Sequence, residues 1–260
     1  MTLPEVHTNF VHEFLGVIDL PSRSVERLRQ FEPPEGYYLC FSGGKDSIVL
    51  YDIAVKSGVK FDAHYSVTGI DPPELVRFIK RNYPAVAFEH AEKTMWKLIV
   101  EKVMPPTRIV RYCCEHLKER GGDGRRILTG IRWAESSRRK KRMMFERYKT
   151  VNKEILNPII DWSDADVWQY IKDNGLEYCE LYDQGYKRLG CIGCPMSSNQ
   201  LKELNAYPRY KNLYLRAFGR MIDNRHRKGL KCAWKTPQEV MNWWTANRKR
   251  KIDDCQGVFF

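Results

Sequence analysis

No stretch of about 18 consecutive apolar residues occurs in this 260-residue chain, and its start does not read as a signal peptide. These absences point away from a membrane and toward the cytoplasm. Internal repeats, low-complexity tracts and an evident linker are also missing. Acidic residues are in deficit, 32 against 44 basic ones, leaving a net charge of +12. That balance favours anionic partners such as nucleotides, sulfated groups or nucleic acid, and it says nothing about fold or oligomeric state. None of the six histidines stands in a metal-ligand pattern; His116, beside a cysteine pair, is the one of interest. A chain of this length buries a core without disulfides, so eight cysteines in a reducing compartment read as ligands, nucleophiles or core fillers.

What is present is a succession of short apolar runs. Residues 37–41, YYLCF, read as a buried strand, and SIVLYDIAVKSG places Ile48, Val49, Tyr51, Ile53 and Ala54 on a helix that Gly58 stops. VKFDAHYSVTG predicts a second strand, and PPELVRFIKRNYP a helix opened and closed by prolines. AVAFEH reads as a short strand and TMWKLIVEKV as a helix. Residues 125–131 and 154–160 predict further strands, and Ser163 caps a helix that Gly175 stops. This alternation predicts an α/β fold, a doubly wound, mostly parallel sheet with helices on both faces. Beyond residue 186 only helices and irregular segments are expected. The predicted organisation is an α/β domain over residues 1–185 and a helical, cysteine-bearing C-terminal region over 186–260, packed on the first.

The string SGGKDS follows the first strand and opens the first helix. Gly43 and Gly44 allow a close backbone approach to an anion, and the helix start offers unpaired N–H groups and a positive dipole end. Lys45 adds a charge, while Ser42 and Ser47 supply hydroxyls. The pattern is not the G-x-x-x-x-G-K-[ST] loop. An ordinary tight turn is the plain alternative.

The cysteines are the second signal. Cys113 and Cys114 are adjacent, and Cys191 and Cys194 form a C-x-x-C. Four thiolates can hold zinc or an iron–sulfur cluster, though zinc knuckles more often use two C-x-x-C pairs. Cys40, within the first strand, reads as a core residue; Cys179 and Cys232 have no informative context.

Together with VTGIDPPE (67–74), TGIRWAESSRR (129–139), NPIIDWSDADVWQYI and LYDQGYKRLGCIGCP, the SGGKDS loop makes the chain resemble the phosphoadenylyl-sulfate and adenylyl-sulfate reductase family, part of the adenine-nucleotide α-hydrolase-like group. The resemblance runs from about residue 40 to 195. It implies that the first domain binds an adenine nucleotide, with Ser42, Gly43, Gly44, Lys45, Asp46, Ser47, Thr68, Gly69, Gly130, Arg132, Arg138 and Arg139 as the candidate nucleotide contacts. Guanidinium forks suit phosphate and sulfate oxygens. Residues 140–142 read instead as a solvated basic face. The Cys-Cys and Cys-x-x-Cys spacing is similar to the [4Fe–4S] signature of the adenylyl-sulfate branch, which makes Cys113, Cys114, Cys191 and Cys194 the candidate cluster ligands, with zinc as runner-up. Lys118 falls where that branch places a lysine near the cluster, after Leu117 where the family usually has arginine. Such a cluster can organise charge near an anionic nucleotide, with electron transfer as the rival role.

In the family a C-terminal E-C-G-L-H segment supplies the nucleophile. Here the tail reads IDDCQGVFF, so Cys255 is the candidate, with Gln256 in place of glycine and no histidine. Basic residues at 247–251 would depress its pKa. The implied reaction is attack on an adenylyl sulfate or phosphoadenylyl sulfate, with sulfite later released by a thioredoxin-like thiol donor. The alternative is an ATP-pyrophosphatase-type enzyme, using magnesium, that delivers sulfur to a nucleic acid; the basic charge and the NWW of residues 242–244 favour it, since bases stack on aromatics. A third reading is a nucleotide-binding module without catalysis.

Overall fold

The computed structural model of the protein describes residues 10–13, 16–148 and 153–246. In chain order these form β1 (Phe10–Glu13), β2 (Gly16–Asp19), α1 (Leu20–Gln30), β3 (Tyr37–Cys40), α2 (Lys45–Ser57), β4 (Phe61–Val67), α3 (Pro73–Asn82) and β5 (Ala87–His90). There follow α4 (Met95–Glu101), α5 (Tyr112–Leu117), β6 (Arg126–Leu128), β7 (Phe145–Tyr148), β8 (Lys153–Leu156), α6 (Asp164–Asp173), α7 (Gln200–Ala206), α8 (Pro208–Arg227) and α9 (Pro237–Thr245). The chain divides into two compact units that are discontinuous in sequence. The first is drawn from Met1–Ser66, Pro73–Glu89 and Gly121–Leu189, the second from Val67–Pro72, His90–Arg120 and Gly190–Phe260.

The first unit carries the expected α/β fold. Its six strands lie in the order β5-β4-β3-β6-β8-β7. β3 pairs in parallel with β4 on one side and β6 on the other, and β6 with β8. The order runs outward from β3 to β5 and then restarts at β6, so β3 and β6 flank a topological switch point. In folds of this kind ligands bind outside the carboxyl ends of the strands at such a point. β7 is the exception: it runs antiparallel to β8, because a connection of residues 149–152 is too short for a crossover.

The helices follow from spacing. α2 buries Ile48, Val49, Leu50, Ile53 and Ala54 and ends at Gly58, whose φ of 74° is the left-handed conformation glycine takes without cost. In α1 the buried Leu20, Ser24 and Leu28 recur every fourth residue, and the Asp19 carboxylate accepts the Ser22 N–H at its start. α6 opens on Ser163, whose hydroxyl accepts the Asp166 N–H while the Asp166 carboxylate accepts the Ser163 N–H. This is a reciprocal cap. Residues 154–160 were expected to form one strand, but β8 stops at Leu156. Pro158 has no N–H to continue a ladder, and Asn157 donates its amide to the Met143 carbonyl. Ile159 and Ile160 remain buried in the turn that follows.

The second unit is helical among its described residues, and α8 runs through its core. Tyr214, Ala217, Phe218, Met221 and Ile222 form one buried stripe of α8. They share a cluster with Leu98 and Ile99 of α4, and with Val240, Met241 and Trp244 of α9. Trp244 is a core residue whose indole N–H donates to the Pro106 carbonyl, and Trp243 packs edge-on against Trp234. Of the NWW segment, Trp244 is therefore interior, Trp243 is half-buried and Asn242 is exposed. Among the described residues, no helix is long and apolar enough to cross a membrane.

Candidate functional site

The SGGKDS string leaves β3 and becomes the start of α2, on the β3 side of the switch point. Gly43 is obligatory: its φ is +70°, and a Cβ there would stand 2.7 Å from the Ile79 side chain. Gly44 is different. It caps α2 in an extended conformation, and a Cβ would meet only Ser42 Oγ and Tyr182 Oη, each at 3.5 Å. Within the loop, Ser47 Oγ accepts the Ser42 N–H at 3.2 Å and donates to the Gly44 carbonyl at 2.9 Å. Ser42 Oγ lies 3.1 Å from Ser47 Oγ and accepts a long bond from the Gly44 N–H at 3.4 Å. The two serines thus shape the loop from inside. The backbone N–H groups of Gly43 and Asp46 have no partner among the described residues.

Beneath the loop lies a charge network. Arg132 follows β6 and is fully buried. Its Nε donates to Asp46 Oδ1 at 2.7 Å, its Nη2 to Asp164 Oδ1 at 2.6 Å, and its Nη1 to the Trp162 carbonyl at 3.1 Å. Lys45 Nζ adds a second cation, 3.1 Å from Asp164 and 3.4 Å from Asp46. Burial raises the Asp164 pKa, but Arg132 and Lys45 outweigh it and hold the carboxyl below its ordinary value. Gly130 permits this assembly, because a Cβ there would come within 3.1 Å of the Asp46 backbone. Arg132 therefore clamps the start of α2 to the start of α6, and all three of its guanidinium nitrogens are engaged by protein.

Beyond Arg132, Arg138 precedes a short 3₁₀ segment (Arg139–Lys141), in which Arg139 pairs with Glu135. Arg142 holds the Glu146 carboxylate through Nε, so that part of the basic run braces β7. Asp164 and Tyr182 were not anticipated as parts of the site. Asp164 sits one residue past the Ser163 cap, where a first-turn acid is ordinary, and Tyr182 carries no spacing signal.

The second unit gathers the thiols. Cys113 and Cys114 sit on α5; Cys191 and Cys194 lie in a turn closed by the Cys194 N–H on the Cys191 carbonyl. All four are free. The Cys113 S–H hydrogen bond, with Arg111 and Lys118, holds the Cys114 thiol below its ordinary value against burial. Arg111 Nη2 donates to Cys114 Sγ at 3.1 Å. The same hydrogen bond and burial push the Cys113 thiol up, as do the nearby charges of Cys114, Cys191 and Cys194. Burial pushes the Cys191 thiol up to about 12, with Lys118 opposing. Lys118 also faces Asp71, at 3.9 Å. Among the described residues, no three His, Cys, Asp or Glu side chains converge tightly enough to hold one metal ion.

Thr68 and Gly69 belong to this second unit. The Thr68 hydroxyl donates to buried Asp71 at 2.7 Å and lies 3.9 Å from Cys191 Sγ. Asp71 and Arg111 are charged neighbours of the thiols, and neither was anticipated as part of the site. Cys40 ends β3 and is half-buried, with its thiol pushed up to about 12 by desolvation, and Cys232 donates to the Trp234 carbonyl. Cys255 and residues 247–251 lie outside the described residues.

The profile of the phosphoadenosine phosphosulfate reductase domain matches residues 36–197. The chain belongs to that family. The matched span contains the SGGKDS loop, Arg132 and all four clustered cysteines. An uncharacterized protein of Methanocaldococcus jannaschii is 33% identical over 195 residues, covering 70% of this chain and 46% of its own length. The chain thus spans less than half of that relative. The adenosine 5'-phosphosulfate reductase of Oceanobacillus iheyensis is 30% identical over 182 residues, 60% of this chain and 70% of its own. A crystal structure of phosphoadenylyl-sulfate reductase from Candida auris, a phosphate complex, superposes with a TM-score of 0.50 at 21% identity, covering 65% of this chain and 87% of that one. At that identity the likeness speaks for the family fold alone.

Proposed function

We propose that the chain is a sulfonucleotide reductase-like enzyme of the cytoplasm, which binds adenylyl sulfate or phosphoadenylyl sulfate at residues 42–47 and reduces it to sulfite. The observation that carries this reading is the loop itself: open N–H groups at the start of α2, with Lys45 beside them, set at the carboxyl end of β3. A phosphate oxygen placed there receives charge-assisted hydrogen bonds and the helix dipole. Arg132 is a positioning residue, fixing Asp46 and Asp164 so that the first turn of α2 keeps its shape. Arg138, and Arg139 on release of Glu135, are the proposed arginine contacts with nucleotide or sulfate.

Cys255 is the proposed nucleophile. Its thiolate attacks the sulfate sulfur, a sulfur–sulfur bond forms, and the sulfur–oxygen bond to the phosphate breaks. The nucleotide leaves with that electron pair. A thiol of a thioredoxin-like donor then attacks Cys255 Sγ, forming a disulfide and expelling sulfite, so two thiols are oxidised as the sulfur is reduced. Cys113, Cys114, Cys191 and Cys194 are the proposed ligands of a [4Fe–4S] group: the charges of Cys114, Cys191 and Cys194 act on Cys113, and Arg111 and Lys118 supply compensating cations. When bound, such a cluster supplies a fixed charge centre and a brace between α5 and the 191–194 turn.

The test is incubation with adenylyl sulfate in the absence of reductant. One SO₃ adduct on the intact protein, lost in Cys255→Ser, supports the reading. Magnesium-dependent release of pyrophosphate from ATP, with no adduct, would replace it by the nucleic-acid sulfur-transfer reading, for which the net charge of +12 remains the argument. Nucleotide binding with neither reaction would mark a non-catalytic module.

A further inference from the structure

We infer that Tyr182 plugs the anion site, its phenol occupying a position that a bound phosphate or sulfate oxygen must take. The inference rests on the loop at residues 42–47 being that site. The first N–H groups of a helix have no partner within it and must be satisfied from outside. At α2 the Lys45 N–H is satisfied by Tyr182 Oη, at 2.9 Å. The phenol also stands over the mouth of the loop, since a Cβ built on Gly44 would lie 3.5 Å from it. It is therefore seated where the dipole end of α2 and the Lys45 ammonium would attract an anion.

Tyr182 is held there lightly. Its ring meets Trp168 edge-on at 5.0 Å and Tyr178 at 6.2 Å. The backbone on either side is anchored more firmly: Cys179 and Leu181 are buried, and the Tyr182 and Tyr186 N–H groups close turns onto the Cys179 and Leu181 carbonyls. The side chain can thus swing out about its own χ angles while the segment stays in place. A neutral phenol oxygen offers the Lys45 N–H an ordinary hydrogen bond, whereas a charged oxygen offers one roughly twice as strong. An anion accordingly displaces the phenol, but its affinity is reduced by the bond it must break. The consequence is selectivity. A ligand with several charged oxygens, such as an anhydride-linked phosphate or sulfate, overcomes the plug more readily than a small monoanion.

The experiment compares inorganic pyrophosphate binding by calorimetry to the full chain, Tyr182→Phe and Lys45→Met. Tyr182→Phe keeps the ring and removes the oxygen. It should bind about three- to ten-fold more tightly than the parent, the worth of one neutral hydrogen bond. In the parent, pyrophosphate should also change the tryptophan emission, and Trp168→Phe should abolish that change because Trp168 is the indole in contact with the departing ring. If Lys45→Met weakens binding while Tyr182→Phe binds equally or less tightly, the plug is refuted and the loop stands. A phenol that donated to the anion would give that weaker binding. No binding of pyrophosphate by the parent would overturn the loop and the plug together.

Discussion

Replacing Arg132 with methionine should destabilise the first unit and make its stability less sensitive to acid. The guanidinium is fully buried and makes contacts of 2.7 Å to Asp46, 2.6 Å to Asp164 and 3.1 Å to the Trp162 carbonyl. Removing one partner of a buried ion pair typically costs about 3–5 kcal/mol. Two features reduce that figure here. The Asp164 side chain is 69% exposed and can rehydrate, and Lys45 remains 3.1 Å from it. A loss of about 2–3 kcal/mol follows, or a melting temperature lower by roughly 4–12 °C for a unit of this size. Arg132→Lys should recover part of the loss, since one ammonium cannot serve three acceptors that the planar fork reaches together.

The acid dependence separates this network from simple packing. Asp164 has its pKa lowered, because Arg132 and Lys45 outweigh the effect of burial. A carboxylate with a depressed folded-state pKa contributes stability that is complete above its unfolded pKa of about 3.9 and is lost as pH falls through the folded value. The parent should lose this contribution below about pH 4, whereas Arg132→Met has less of it to lose. The gap between the two melting curves should therefore narrow from pH 7 to pH 3. Equal melting at pH 7, or a gap that stays constant down to pH 3, would refute the network as a source of stability.

Three further outcomes are expected. Gly43→Ala should lower the thermal midpoint by the equivalent of at least about 2 kcal/mol, from its positive φ and the 2.7 Å approach to Ile79, while Gly44→Ala should melt with the parent. Val103 adopts a φ of 51°, unfavourable for a branched side chain, with its carbonyl accepting from Arg225 Nη1; Val103→Gly should raise stability by about 0.5–1 kcal/mol in a denaturant titration. Iron and acid-labile sulfide should be found in anaerobically isolated protein, lost in each of Cys113→Ser, Cys114→Ser, Cys191→Ser and Cys194→Ser, and kept in Cys232→Ser; a zinc ion without sulfide would overturn the cluster.

The sheet and its helices were legible because period and punctuation agree there. β3 is a short apolar run ending at a glycine pair, α2 has helical spacing closed by Gly58, and α6 begins at a residue that can only be useful as a cap. The elements that went unread lack such agreement. β7 is FERY, with two charges in four residues; as an antiparallel edge it pairs with β8 alone, and its Glu146 is satisfied by Arg142 and the Met143 N–H. α5 is six residues, too short to show a period, and its adjacent cysteines stand out for their chemistry and not for their fold. Nor does any local signal indicate that residues 90–120 group with those after 190, since that depends on contacts between segments some hundred positions apart.

The residues around the SGGKDS loop were legible in the sequence, but their partners were not. Residue identity marks Arg132 as a cation of the same motif set as the SGGKDS loop, yet only tertiary structure reveals the two carboxylates that engage it. Asp46 lies inside the motif and Asp164 lies 32 positions beyond Arg132, and neither spacing predicts contact. The same holds for Trp244, which beside a basic tail reads as a stacking platform until its indole N–H is found on the Pro106 carbonyl. In both cases the side chain has a surface function available to it and an interior function that competes. The interior one prevails where burial leaves a polar atom that must be paired, because an unpaired buried group costs about 1–3 kcal/mol, more than a surface contact returns. An arginine or tryptophan in a motif is thus better read first as a question about its partners, and here the partners of Arg132 are Asp46, Asp164 and the Trp162 carbonyl, which tie the start of α2 to the start of α6.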